Sequence, residues 1–145
     1  MQIERETVIA APVERVWSLL TEAEHVGRWF CDDGAEIDLK PGGAMVLRWT
    51  EHGTTHAEVV DVEANRRFSY RWAAEAETER LDGNSTLVEF TLEPAGDGTR
   101  LRVVESGFEE LHESDEQLRR RFEDNREGWE IQLGRVRGEA ERVTA

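Results

Sequence analysis

Apolar residues recur with two different periods along the chain, and the first helical period begins near residue 12. Strand character over residues 3–9 ends before Pro12, which suits a first helical residue because its missing N–H costs nothing there. One face of a short helix then collects Val13, Val16, Trp17 and Leu20. A capping box formed by Thr21 and Glu24 predicts a second short helix. Its inner face would carry Val26, Trp29 and Phe30.

From residue 37 to residue 103 the period changes to two. Six short runs of alternating apolar residues are separated by turns such as Pro41-Gly42-Gly43 and Gly96-Asp97-Gly98. This pattern predicts an antiparallel meander with one buried face. The alternating residues are Ile37, Leu39, Met45, Leu47, Trp49, Val60, Val62, Phe68, Tyr70, Trp72, Val88, Phe90, Leu92, Leu101 and Val103.

The last third of the chain returns to a helical period. Ser114 and Gln117 form a capping box at the start of a long helix. Its apolar stripe stays within about 60° of Phe122, so the helix needs a wide apolar surface, which the meander provides. The stripe consists of Leu118, Phe122, Trp129, Leu133, Val136, Ala140 and Val143. We therefore predict an α+β fold in one domain over residues 1–145: a strand, two short helices, six strands and a long C-terminal helix gripped by a curved antiparallel sheet.

Charge and composition limit the classes of partner that the protein could bind. The 145 residues carry a net charge of −14, which argues against binding nucleic acid or an anionic membrane surface. No apolar run approaches the ~20 residues of a membrane span, and the start of the chain lacks the features of a secretory signal. The single Cys31 has no intrachain partner, as is typical of a reducing compartment. We expect a cytoplasmic protein with neither nucleic-acid nor membrane partners.

Several segments, in this order and spacing, resemble the START-like or SRPBCC superfamily, and within it the branch of homologues of the heat-shock protein 90 ATPase activator. The segments are the A-P-V-E-R-V-W run at 11–17, the stretch 21–30, Pro41-Gly42-Gly43, the stretch 98–101, Ser106-Gly107-Phe108 and Gly128-Trp129. The resemblance covers essentially the whole chain and implies the helix-grip fold. In that fold a long helix crosses a curved sheet without filling it, which implies an apolar cavity for a small hydrophobic molecule.

The residues expected to line such a cavity are mostly aromatic. His56, Glu58 and Val60 share strand parity, which would turn them inward, with the first two at the cavity mouth as a titratable pair. For the aromatic residues the alternative is a packed core, and for the histidine and glutamate it is an exposed hairpin. The predicted ligand-binding set is Trp49, His56, Glu58, Val60, Phe68, Tyr70, Trp72, Phe90, Phe122, Asn125 and Trp129.

Other chemistry finds little support in the sequence. His52 and His56 lack a third ligand for zinc, and Asp32 and Asp33 beside Cys31 should oppose ionisation of its thiol. Phosphate-loop, dinucleotide, nucleophile-elbow and C-x-x-C motifs do not occur. We therefore predict no catalytic residue, metal or cofactor.

Three functions follow, in order of preference. The first is binding of a small hydrophobic or aromatic ligand between sheet and helix. The second, implied only by the resemblance, is a heat-shock protein 90 co-chaperone-like ATPase activator, and the third is a polyketide aromatase/cyclase-like enzyme. A protein partner, either a chaperone or a second copy, stays open, and Ile131 lies opposite the helix stripe. The first function requires a hollow beside Trp129, and tight packing there would contradict it.

Overall fold

A seven-stranded antiparallel sheet holds the long C-terminal helix against one face in the computed structural model, which describes residues 1–142. The elements are β1 (Gln2–Ile9), α1 (Val13–Thr21), α2 (Ala23–Trp29), β2 (Ala35–Ile37), β3 (Ala44–Trp49), β4 (Gly53–Glu63), β5 (Arg67–Ala73), β6 (Ser85–Ala95), β7 (Gly98–Ser106), a 3-10 turn (Phe108–Glu110) and α3 (Asp115–Glu141). The strands lie in the order β1-β7-β6-β5-β4-β3-β2. This arrangement confirms the predicted helix-grip fold.

The helix starts agree with the sequence to within a residue or two. Ser114 caps α3, and its hydroxyl accepts a hydrogen bond from the backbone N–H of Gln117 at 3.2 Å. Pro12 is the residue before α1 rather than its first residue. The predicted capping box at Thr21 is wrong: Thr21 ends α1 and its hydroxyl donates to the carbonyl of Trp17, so α2 begins at Ala23 without a side-chain cap. Thr21 is the last residue of α1, and Glu22 occupies the cap position of α2.

The first part of strand β4 turns its side chains to the opposite faces from those predicted. Its pairing with β5 shifts between Val59 and Asp61, which marks a β-bulge. A bulge adds one residue to a strand and reverses the side-chain alternation beyond it. Val62 is therefore on the inner face as predicted, but before the bulge Ala57 and Val59 face the core. The prediction that His56, Glu58 and Val60 turn inward is wrong: all three have the opposite parity.

Helix α3 lies across the sheet along the predicted stripe. Four stripe residues are buried, namely Trp129, Leu133, Val136 and Ala140. Leu118 and Phe122 are half-buried at the start of the helix, where Phe122 packs edge-on against Phe108 with ring centroids 5.4 Å apart. Val143 lies outside the described residues. Ile131, on the opposite face, is 57% exposed.

Candidate ligand-binding cleft

Three inward rows of side chains end next to one another at one end of the sheet. On β5 the row runs Phe68, Tyr70, Trp72; on β6 it runs Leu92, Phe90, Val88, Thr86; on β7 it runs Thr99, Leu101, Val103, Glu105. Trp72 is paired with Thr86, and Glu105 with Val88, so the polar ends of the rows are neighbours. The carboxyl group of Glu105 therefore points into the space under α3.

Glu105 is fully buried and accepts hydrogen bonds from four side chains, which with it form what we call the Glu105 network. The indole N–H groups of Trp72 and Trp129 donate to it at 2.9 and 2.8 Å, and the Thr86 hydroxyl donates at 2.6 Å. The Asn125 amide donates to both carboxylate oxygens at 3.2 Å. Every bonded group is a neutral donor, the pattern that satisfies a buried carboxylate without a counter-ion. The network ties α3 to β5, β6 and β7.

Tyr70 lies beside this network without joining it. Its side chain is buried, and among residues 1–142 its hydroxyl has no hydrogen-bond partner. Burial raises the pKa of Tyr70 well above its usual value, and the nearby Glu105 carboxylate and Cys31 add to that rise. The tyrosine is therefore a neutral phenol at physiological pH.

The space beneath the middle of α3 is filled by aromatic rings. Phe30, from the end of α2, stacks on Trp72 and Trp129 at centroid distances of 5.8 and 5.6 Å. Trp129 is 2% exposed and also packs edge-on against Phe90 at 5.7 Å. Phe68, Tyr70, Phe90 and Trp129 line none of five clefts of about 280 to 680 Å³ that residues 1–142 form. The hollow expected beside Trp129 is thus a packed core, so the prediction of a cavity there, and of ligand binding at that place, is wrong.

The open space lies at the edge of this core, between the ends of β3 to β6 and the first half of α3. It is a cleft of about 460 Å³, which we call the aromatic cleft. Trp49 and Trp72 supply its large apolar surfaces, and the indole N–H of Trp49 is held by the carbonyl of Phe30 at 3.1 Å. The full lining is Trp49, His52, Thr55, Trp72, Ala73, Ala74, Ala76, Thr86, Arg121, Asp124 and Asn125.

The single arginine that lines the aromatic cleft is already paired. Arg121 donates to both carboxylate oxygens of Glu113, at 2.7 and 2.6 Å, and to the carbonyl of Ala74 at 2.5 Å. Hydrogen bonding between the two raises the pKa of the guanidinium and lowers the pKa of the Glu113 carboxyl. Arg121 therefore anchors the loop after β5 to α3.

The predicted site residues fall into three groups. Trp49, Trp72 and Asn125 line the aromatic cleft. Phe68, Tyr70, Phe90 and Trp129 are core residues, and Phe122 packs on the 3-10 turn. His56, Glu58 and Val60 lie on the outer side of the sheet.

Glu105, Thr86 and Arg121 were not among the predicted site residues. The first two continue the inward alternation of Leu101 and Val103 and of Val88 and Phe90, so the signal was a polar residue at a core position. No such pattern distinguishes Arg121 from its neighbours Arg119 and Arg120.

Two other features carry less chemistry. Burial, with a smaller contribution from Asp32, raises the pKa of the Cys31 thiol and keeps it protonated. A larger groove of about 680 Å³ lies at the opposite end of β5, and its lining includes the charged residues Glu63, Arg66 and Arg67 but no aromatic residue. Residues 1–142 hold no cluster of three or more histidine, cysteine or acidic side chains suited to a metal ion. Nor do they include a helix of the length and apolarity needed to cross a membrane.

Comparisons with known proteins agree with the helix-grip fold. The family model described as "Activator of Hsp90 ATPase homolog 1-like protein" matches residues 10–139. The solved structure of protein MLL2253 from Mesorhizobium loti is 25% identical, with a TM-score of 0.83 over 100% of both chains. CalU16 from Micromonospora echinospora is 25% identical, with a TM-score of 0.68 over 93% of this chain and 73% of its own. The Aha1 dimer from Colwellia psychrerythraea is 18% identical, with a TM-score of 0.76 over 100% and 99%. A search of curated protein sequences returned no match.

Proposed function

Because the chain belongs to the Activator of Hsp90 ATPase homolog 1-like family, whose fold in this protein leaves an open cleft between sheet and helix, we propose that it binds a small aromatic ligand in the aromatic cleft. The observation that carries the proposal is the pair of tryptophans, Trp49 and Trp72, in one cleft with the amide of Asn125. Ligand sites combine such apolar surfaces with a few fixed polar groups. The volume of about 460 Å³ falls within the range of small-molecule sites.

The positions of these groups are fixed before any ligand arrives. Trp49 is held by the Phe30 carbonyl, and Trp72 by Thr86 and Glu105. Asn125 is held by both oxygens of the same carboxylate. Preorganised side chains lose little conformational entropy on binding, so a modest contact area can give useful affinity. Such fixed side chains favour a binding site over an incidental surface depression.

The test is calorimetric titration of 2-(1-naphthyl)ethanol, an uncharged aromatic probe, into the full chain. We expect saturable binding at one site per chain, and an affinity about tenfold weaker for the Trp49→Ala variant because one aromatic surface is lost. The matched control is Val60→Ala, an apolar truncation on the outer side of the sheet. No binding by the wild-type chain, or an equal loss in both variants, would contradict the proposal.

A co-chaperone role is the second candidate, and the family match over residues 10–139 favours it. The net charge of −14 is compatible with docking on a basic surface of a partner protein. The direct measurement is the ATPase rate of a heat-shock protein 90 with and without the chain. Stimulation that Trp49→Ala leaves intact would assign the chaperone role to a surface outside the aromatic cleft.

Aromatase/cyclase-like catalysis receives less support from the geometry. It requires an acid or base beside the ligand, yet His56 and Glu58 have the outward parity and Tyr70 is enclosed in the core. Glu105 is enclosed as well, and four donors occupy its oxygens. Among the residues that line the cleft, His52 and Asp124 remain as candidates for a base.

A further inference from the structure

The charges around the aromatic cleft are unbalanced, and they lie close to its aromatic surfaces. Glu105 lies buried directly behind Trp72 and Asn125, and within residues 1–142 it makes no ion pair. Asp124 lines the cleft from α3 and is exposed. Two carboxylates therefore contribute negative charge to the cleft, and neither forms an ion pair that the structure describes.

The one guanidinium in the lining does not offset them. All three guanidinium nitrogens of Arg121 already donate hydrogen bonds. Nε and Nη2 donate to the Glu113 carboxylate, and Nη1 donates to the Ala74 carbonyl. Glu75 and Glu105 also lie near enough to raise the pKa of Arg121, although more weakly than Glu113 does. Arg121 is thus already engaged by carboxylates, and its described ion pair is with Glu113 rather than with Asp124 in the lining. An anionic ligand could recruit Arg121 only by breaking its bidentate pair with Glu113, which is costly for a partly buried pair.

We propose that the aromatic cleft selects a ligand with an aromatic body and a positively charged amine over a carboxylate of the same shape. This inference rests on the proposed binding function and names the charge class of its ligand. Tryptophan rings attract organic cations, and Trp49 and Trp72 both line this cleft. The field of Glu105 adds to this attraction because a charge in the low-dielectric interior is poorly screened.

The experiment compares three probes of one shape by calorimetry on the full chain at pH 7 and about 150 mM salt. They are 2-(1-naphthyl)ethylamine, a cation; 2-(1-naphthyl)ethanol, which is neutral; and 1-naphthylacetate, an anion. We expect the amine to bind about tenfold more tightly than the alcohol, and the acetate to bind more weakly than the alcohol. The stoichiometry of the amine should be one per chain.

A matched pair of variants separates a local effect from general attraction by an acidic protein. Asp124→Asn removes a charge at the cleft, and we expect it to weaken amine binding about two- to fivefold, a larger change than it makes in alcohol binding. Glu130→Gln makes the same change of charge on α3 beside the groove lined by Arg5 and Glu6, and it should alter neither probe.

The possible failures are distinguishable. Alcohol binding with no preference for the amine would overturn the charge inference and leave the proposed function standing. Equal weakening of the amine by both variants would also overturn it, because the attraction would then come from the net charge. If none of the three probes binds, the proposed function itself fails and the inference fails with it.

Discussion

Glu105 is the residue on which the arrangement of the cleft depends. Its two oxygens accept from two indoles, one hydroxyl and one amide that come from three different elements. A buried carboxylate without these donors would cost several kcal/mol, so the network is a condition of burying it. In return it fixes the rotamers of Trp72 and Asn125, two of the residues that line the aromatic cleft.

Replacing Glu105 with glutamine should therefore destabilise the fold although the shape is nearly unchanged. The amide keeps one acceptor oxygen and turns N–H groups toward two indoles that can only donate, so it cannot satisfy all the donors that the two carboxylate oxygens now accept from. We expect a loss of about 3 kcal/mol in the free energy of unfolding, measured by urea denaturation. Glu127→Gln, the same change at an exposed position of α3, should cost less than about 0.5 kcal/mol. Equal small losses would show that the network contributes little.

The burial of Glu105 could have been anticipated in part. Thr99, Leu101 and Val103 alternate on the inner face of β7, and the next position of that alternation is residue 105. A glutamate there interrupts the apolar pattern and so indicates a buried charge with specific partners. The identity of those partners could not be predicted, because Trp72, Asn125 and Trp129 come from sequence positions 20 to 33 residues away.

At the scale of elements, α3 is a long helix weakened by its own glycines. A Cβ built at Gly128 meets no neighbouring atom within 4 Å, so neither the sheet nor a close contact requires a glycine there. Gly128→Ala should raise the free energy of unfolding by about 0.5–1 kcal/mol, because alanine restricts the unfolded chain and favours the helix. Thermal or urea unfolding measures this directly.

The control makes the same substitution where space is lacking. A Cβ at Gly98, the first residue of β7, would clash with the carbonyl oxygen of Ile9. Gly98→Ala should therefore lower the free energy of unfolding, since that backbone would have to move. A destabilising Gly128→Ala would contradict the open environment and indicate that the helix bends at this residue.

Strand β4 and helix α2 show where local sequence patterns gave wrong predictions. Alternation identified the strands, yet it assigned the wrong face to His56, Glu58 and Val60, because the bulge at Val59 to Asp61 depends on pairing with β5. The T-x-x-E motif did not start α2, since the backbone hydrogen bonds of α1 continue through Thr21 to the N–H of Glu22. Both errors come from hydrogen bonds that a single segment does not reveal.

At the scale of the whole molecule, the order of elements and the long helix across the sheet followed from periodicity and resemblance, but the position of the open space did not. Phe30 was expected on the inner face of α2. Its ring in fact inserts beside Trp72 and Trp129 and fills the region under the helix. Whether aromatic side chains surround a void or stack on one another depends on distances of a few ångströms between distant segments. The cleft is therefore displaced to the edge of the sheet.

The net charge of −14 acts on the molecule as a whole and should make its stability rise with salt. Salt screens both the general repulsion among carboxylates and the attraction within ion pairs. The ion pairs are mostly exposed, as for Arg28 with Glu24, and exposed pairs contribute little. The repulsive excess should dominate, so raising sodium chloride from about 20 to about 300 mM at pH 7 should increase the free energy of unfolding by roughly 1 kcal/mol.

A variant with glutamine at the exposed positions Glu14, Glu79 and Glu127 should be more stable at low salt and respond less to added salt. A decrease in stability with salt would instead mean that ion pairs outweigh the repulsion.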